Sequence, residues 1–204
     1  MKFLPNRICP RVYLTKKDLV LIDIWAKATA KKSLEIRRSR GEIITPWRIN
    51  QEYRNHDMGL RSEFAYFKYF EGSVNSAIIN AKAFCAGHTS NPDAFLKGVV
   101  AIEIKGQPRK ENLEKLSLPV KEKQFLSYKR EFHEFAYFFT VERQPNNIVS
   151  LVGFARAEDI RANWKKRDWC DRILVHYCDL HPLEFYTLKK WRTSKLVRDV
   201  WDFC

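Results

Sequence analysis

The sequence predicts an α/β fold, a mixed central β-sheet flanked by helices, with a basic helical extension at its N-terminal end. Three observations point there. Apolar residues recur at helical spacing in two segments before residue 71. Short β-branched and aromatic runs follow, of which VVAIEIKG is the clearest. A helical pattern then separates that run from two more strand patterns. Helix, strands, helix, strand, strand, helix is the order expected of helices packed on one mixed sheet.

Residues 1–14 carry the breakers Pro5 and Pro10 and read as irregular. Thr15 is a helix cap, and the pattern continues to Arg40, with Leu19, Ile22 and Trp25 on one face and Gly41 at the end. Residues 15–54 hold ten Lys/Arg against five Asp/Glu. The expected division is therefore a basic, mainly helical extension over 1–55 and a core over 56–204. A second helix is expected from Met58 to Phe70, where Phe64, Phe67 and Phe70 recur on one side. Two short strands are expected at 77–85 and 93–96, then a turn at Lys97-Gly98 and the buried strand VVAIEIKG. A polar loop spans 107–118. Pro119 precedes the helix VKEKQFLSYKREF, and FAYFFTVE and IVSLVGFA read as strands around a turn at Pro145-Asn146-Asn147. A helix begins at AEDIRANW, a strand is expected at ILVHYCDL, and a terminal helix follows from His181.

The chain has 204 residues, 45% hydrophobic and 30% charged, which excludes a disordered chain and allows a single core. Net charge is +13, so polyanions are attracted and nucleic acid is the leading partner. Five cysteines, an odd number without a CxxC, argue against a disulfide scaffold. Neither a secretory leader nor a membrane-length apolar run is evident. The expected setting is intracellular: cytoplasmic or nucleoid-associated, or nuclear in a eukaryote, with no membrane partner.

The chemistry concentrates in PDAFLKGVVAIEIKG, residues 92–106. Alternation along a strand puts Glu103 and Lys105 on one face and Ile102 and Ile104 on the other. A turn at Lys97-Gly98 would bring Asp93 back beside Glu103. Two carboxylates held together repel, and a divalent cation relieves the repulsion. Magnesium, with manganese as a substitute, suits oxygen ligands and keeps several waters, one of which can attack a phosphodiester. Lys105 can orient that water and stabilise charge on phosphorus. Ordinary surface ion pairs are the bland alternative. The Pro-Asp upstream of the Glu-x-Lys weakens it.

Pro92-Asp93 followed by Glu103-Ile104-Lys105 resembles the motif of the PD-(D/E)XK, or restriction-endonuclease-like, nuclease superfamily. The resemblance covers about residues 57–160. It implies that Asp93, Glu103 and the Ile104 backbone carbonyl hold the metal. Gly59 followed by Glu63 resembles a family helix that precedes the motif, which implies a further carboxylate ligand in Glu63. Gln124 and Tyr128, four apart on one helix face, resemble a pair that faces the active site in many members. The implied activity is a magnesium-dependent DNA endonuclease, of homing, restriction or junction-resolving type. A homodimer is expected if both strands are cut. The alternatives are an inactive DNA-binding module on the same fold, or an exonuclease or RNase.

Candidate nucleic-acid contacts are Lys31, Lys32, Arg37 and Arg38 in the first helix, and Lys165, Lys166 and Arg167 further on. Trp47 and Trp164 are among the tryptophans near such clusters, where rings can stack on splayed bases. Cys170, His176, Cys178 and His181 lack a standard zinc spacing and read better as buried cysteines and loop histidines. His88 is a lone loop histidine near Asp93, a phosphate contact or base at best.

Overall fold

A computed structural model describes residues 9–88, 92–96, 100–107, 117–143, 147–162, 172–176, 180, 181 and 183. The expected turns at 97–98 and 145–146, the terminal helix, the basic cluster 165–167 and most of the 107–118 loop lie outside these residues.

The chain enters through β1 (Arg11–Tyr13) and then α1 (Lys16–Ser39). Thr15 caps α1 as its sequence requires. Its hydroxyl accepts from the Asp18 amide at 3.2 Å, and Asp18 Oδ2 accepts from the Thr15 amide at 2.7 Å. Lys68 Nζ, 2.6 Å from the same oxygen, ties this cap to the next helix. That helix, α2, runs Pro46–Phe70 and begins twelve residues before the expected Met58, since 58 − 46 = 12. Thr45 caps it and Pro46 occupies its first turn, where a missing amide hydrogen is harmless. The expected boundary at residue 55 thus falls inside one continuous helix. Ile22 and Ala26 of α1 share a core with Leu60, Phe64 and Phe67 of α2.

The expected strand at 77–85 is instead part of α3 (Asn75–Cys85). The apolar run there obeys helical spacing: Ala77 and Ala81, four apart, are buried while Ile79 is exposed. Short apolar runs are ambiguous between the two periods.

β2 (Ala94–Leu96) and β3 (Val100–Gln107) follow as expected. Ser117–Lys121 forms β4 where a loop end and helix start were expected, so α4 begins only at Glu122 and ends at Glu131. Then come β5 (Phe135–Arg143), β6 (Ile148–Arg156), α5 (Ala157–Ala162) and β7 (Arg172–His176). Five strands form one mixed sheet in the order β1-β6-β5-β3-β2, with β3 and β5 parallel and the other pairs antiparallel. β4 and β7 form a separate antiparallel pair.

Alternation along β3 sorts its two faces. Val100, Ile102 and Ile104 meet α1, α2 and α3 in one core. Ala101 joins Phe125 and Tyr128 of α4 and Tyr137 and Phe139 of β5 in the other. Fully buried aromatics such as Phe64 and Phe138 contribute about 1.5–3 kcal/mol each. Gly106 lets α2 approach β3: a Cβ there would lie 2.2 Å from Ser62 Oγ and 3.0 Å from the Met58 carbonyl oxygen. The Thr140 hydroxyl donates to Ser62 Oγ at 2.8 Å across the same seam. Among the described residues no helix is long and apolar enough to cross a membrane.

Candidate active site

β2 is only three residues long and ends its pairing at Ala94 opposite Ile102. Continuing that register by one residue sets Asp93 opposite Glu103, where β3 outruns its neighbour. Asp93 Oδ2 accepts from the Ile104 amide at 2.7 Å, so the side chain takes the place of the missing strand. The N–H and C=O of one strand residue leave on the same side. The Ile104 carbonyl therefore faces the same open edge as its amide.

Glu103 and Lys105 share a face, as the period of two requires, and Lys105 Nζ lies 2.5 Å from Glu103 Oε1. α4 supplies two donors to the same carboxylate. Gln124 Nε2 donates to Oε1 at 2.7 Å, and the Tyr128 hydroxyl donates to Oε2 at 2.5 Å. An ionised carboxylate offers roughly four acceptor positions. Three are filled, which fixes the group and leaves room for one more partner.

Glu63 approaches from α2, whose close seat against β3 depends on Gly106. Asn80 on α3 joins it to the motif: its side-chain amide donates to Glu63 Oε2 at 3.3 Å and to the Asp93 backbone oxygen at 2.7 Å. Glu63, Asp93, Glu103 and Lys105 are thus brought together from one helix and the facing ends of two strands.

Their electrostatics are unbalanced. Burial, with the neighbouring Glu103 charge, pushes Glu63 up to about 7, against the pull of Asn80 and Lys105. Burial raises Asp93 well above the ordinary carboxylate range, and Glu103 and Glu63 add to the rise. Burial and then the Glu103 charge also raise Tyr128 and Tyr137, which keeps both phenols protonated.

No family model, no curated protein and no solved structure matches this chain. The site is therefore read from its own chemistry.

The groups that could hold a cation here offer only oxygen: the carboxylates of Glu63, Asp93 and Glu103 and the Ile104 backbone carbonyl. That suits a hard divalent cation. Among the described residues no three His, Cys, Asp or Glu side chains form a ready-made cage. Magnesium does not require one, because it keeps several waters and is held by one or two carboxylates.

The remaining expected contacts divide. Lys31 and Arg38 are exposed on α1 and Lys32 is half-buried. Arg37 is half-buried and already engaged by two carboxylates, 2.7 Å from both Glu42 Oε2 and Glu52 Oε1, so it is a poor phosphate contact. His88 is exposed after α3. Of the four Cys and His weighed for zinc, Cys170 and Cys178 lie outside the described residues. His181 Nε2 instead lies 2.7 Å from Asp159 Oδ2.

Two residues were missed. Asn80 was hidden by reading its segment as a strand; recognising Ala77 and Ala81 as a helical pair would have turned it toward Glu63. Tyr137 stands opposite Glu103 in the β3–β5 register, with Lys105 Nζ 6.0 Å from its ring centroid. Its buried hydroxyl has no hydrogen-bond partner among the described residues. The signal was the strand alternation of FAYFF, which puts Tyr137 on one face with Phe135 and Phe139.

Proposed function

We propose that this protein is a magnesium-dependent nuclease that hydrolyses DNA phosphodiester bonds, most simply as an endonuclease. One observation carries the reading: Glu63, Asp93, Glu103 and Lys105 gather where β3 outruns β2, three acidic groups served by one cation. The sheet supports it too. A strand with Asp93 beside it, the Glu103–Lys105 strand, a crossover helix and a parallel strand follow in the order expected of a restriction-endonuclease-like core.

Asp93, Glu103 and the Ile104 carbonyl would hold the metal, with Glu63 as a further carboxylate. A magnesium ion held there would supply Lewis acidity and would activate water for attack on phosphorus. Gln124 and Tyr128 fix the rotamer of Glu103 by donating to both its oxygens. Asn80 sets the spacing between Glu63 and the Asp93 backbone. Lys105, held over the Tyr137 ring, presents an ammonium to the charge that grows on phosphorus. Its partner Tyr137 also walls this side of the site from water.

The test is cleavage of supercoiled plasmid, linear duplex and branched DNA with Mg²⁺ or Mn²⁺ and with EDTA. Wild type should cut only with metal, and Lys105→Ala and Asp93→Ala should bind DNA without cutting. Metal-independent cutting, or full activity in both variants, would overturn the reading.

A further inference from the structure

The tip of the α1–α2 hairpin has a composition that folding does not explain. Trp47, in the first turn of α2, is 67% exposed, and Ile43 in the turn is 89% exposed. Tryptophan is usually well buried, and a ring left largely in water forgoes most of the free energy that its burial would contribute. Positive charge is concentrated in the same turn. Arg38 and Arg40 are exposed at the end of α1, and the Arg48 guanidinium carbon lies 5.7 Å from the Trp47 ring centroid. The nearby acids do not offset them. Glu42 and Glu52 share Arg37, which leaves one negative charge against the three positive charges of Arg38, Arg40 and Arg48. Among the described residues no carboxylate forms an ion pair with Arg38, Arg40 or Arg48.

We propose that this turn, residues 38–48, is a nucleic-acid contact in which Trp47 stacks on an unstacked base and Arg38, Arg40 and Arg48 bind the phosphates on either side. A planar ring flanked by forked donors fits a base between two phosphates. The net charge of +13 draws the same partner. The exposed aliphatic neighbours of the ring are Ile43 and Ile49, outnumbered by the three arginines, and a second copy of this chain would bring Arg against Arg.

The placement sharpens the substrate, and this step rests on the nuclease reading above. Trp47 and Glu63 lie on one helix, 63 − 47 = 16 residues apart. At 1.5 Å per residue α2 sets them ~24 Å apart along its axis. A substrate that engages both places carries a distorted or single-stranded base at a distance from the bond that is cut.

The experiment is a fluorescence-anisotropy titration in EDTA with labelled duplex, single-stranded and branched DNA, using wild type, Trp47→Ala and Trp47→Phe. Melting temperature and oligomeric state are recorded for each. Trp47→Ala should weaken binding to single-stranded and branched DNA about ten-fold, and Trp47→Phe should retain most of the affinity. Both should melt like wild type, because the ring supports no core. Equal DNA affinity in wild type and Trp47→Ala would overturn the proposal. So would a change of oligomeric state without a change in DNA affinity, which would make the tip a self-interface. A parallel cleavage assay in Mg²⁺ separates the two readings. Cutting that is indifferent to Trp47 sinks the tip and leaves the nuclease. Binding that depends on Trp47 without any cutting sinks the nuclease and leaves the tip.

Discussion

Two aspartates near the ends of this sheet show how differently burial can be used. Asp159, in α5, is matched by a guanidinium and an imidazole. Arg156 Nε lies 3.0 Å from Oδ2, Arg156 donates a second guanidinium hydrogen to Oδ1 at 3.0 Å, and His181 Nε2 is 2.7 Å from Oδ2. Burial pushes this carboxyl upward, but the bonds from His181 and Arg156 outweigh it and hold the group well below the ordinary range. Asp93 receives one backbone amide and faces two more carboxylates, so burial and repulsion act together and raise it. The first arrangement is complete and pins His181 against β6, where the two backbones also pair. The second has one cation, Lys105, for three carboxylates. A buried carboxylate is therefore informative about function through its shortage of partners rather than through its burial.

The comparison can be broken in several ways. The largest effect is on chemistry: Asp93→Ala or Lys105→Ala should lower the DNA cleavage rate by about 10²–10³-fold or more, measured under single turnover. Asp159→Ala should leave the rate of the folded enzyme near wild type. Its effect should fall on stability instead, because it strands Arg156 and His181. A loss of ~3 kcal/mol would lower the melting temperature by ~6–12 °C. A fall as large for Asp93→Asn would erase the distinction.

Stability against pH separates the two aspartates by sign. Glu63 and Asp93 bind their protons more tightly when folded, so their contribution is present below the ordinary carboxylate value and is lost as pH rises, for Glu63 through about 7. Asp159 binds its proton less tightly when folded, so its contribution is present above the ordinary value and is lost as pH falls below it. Melting in EDTA should therefore show a decline from about pH 5 to about pH 8, and Glu63→Gln should flatten it. An unchanged slope in that variant would remove Glu63 from the site.

Smaller effects probe the frame. Gly106→Ala should push Ser62 and Met58 away and move Glu63 with α2. A destabilisation of ~1–3 kcal/mol and a fall in cleavage rate of about ten-fold are expected. Lys31→Ala with Lys32→Ala should do least, reducing the slope of log affinity against log salt by about 1–2 with little effect on the rate at saturation.

Much of this site was legible because strand periodicity is strict. A period of two places Glu103 and Lys105 together whatever surrounds them, and the Pro-Asp before a short hairpin places Asp93 opposite. The helical spacing of Gln124 and Tyr128 was equally informative, and both meet Glu103. Less was legible where the signal depends on tertiary partners. Ile78-Ile79 looked like a strand until Ala77 and Ala81 found α2, and Asn80 went unnoticed with them. The start of α2 is set by Thr45 and Pro46, and was not legible because the polar stretch 46–57 carries no apolar stripe. Ser117–Lys121 became a strand only through pairing with β7, distant in sequence. Arg37 counted as a phosphate contact because sequence cannot reveal that Glu42 and Glu52 had already claimed it.

The most direct test of the account is whether a divalent cation supplies the charge that Asp93 lacks. Melting of wild type and Asp93→Asn would be compared at about pH 8 in EDTA and in saturating Mg²⁺. The account predicts that Mg²⁺ raises the wild-type melting temperature by several degrees, ~2 kcal/mol of stabilisation, and leaves Asp93→Asn where it was in EDTA. Equal shifts in both proteins, or none in wild type, would contradict it.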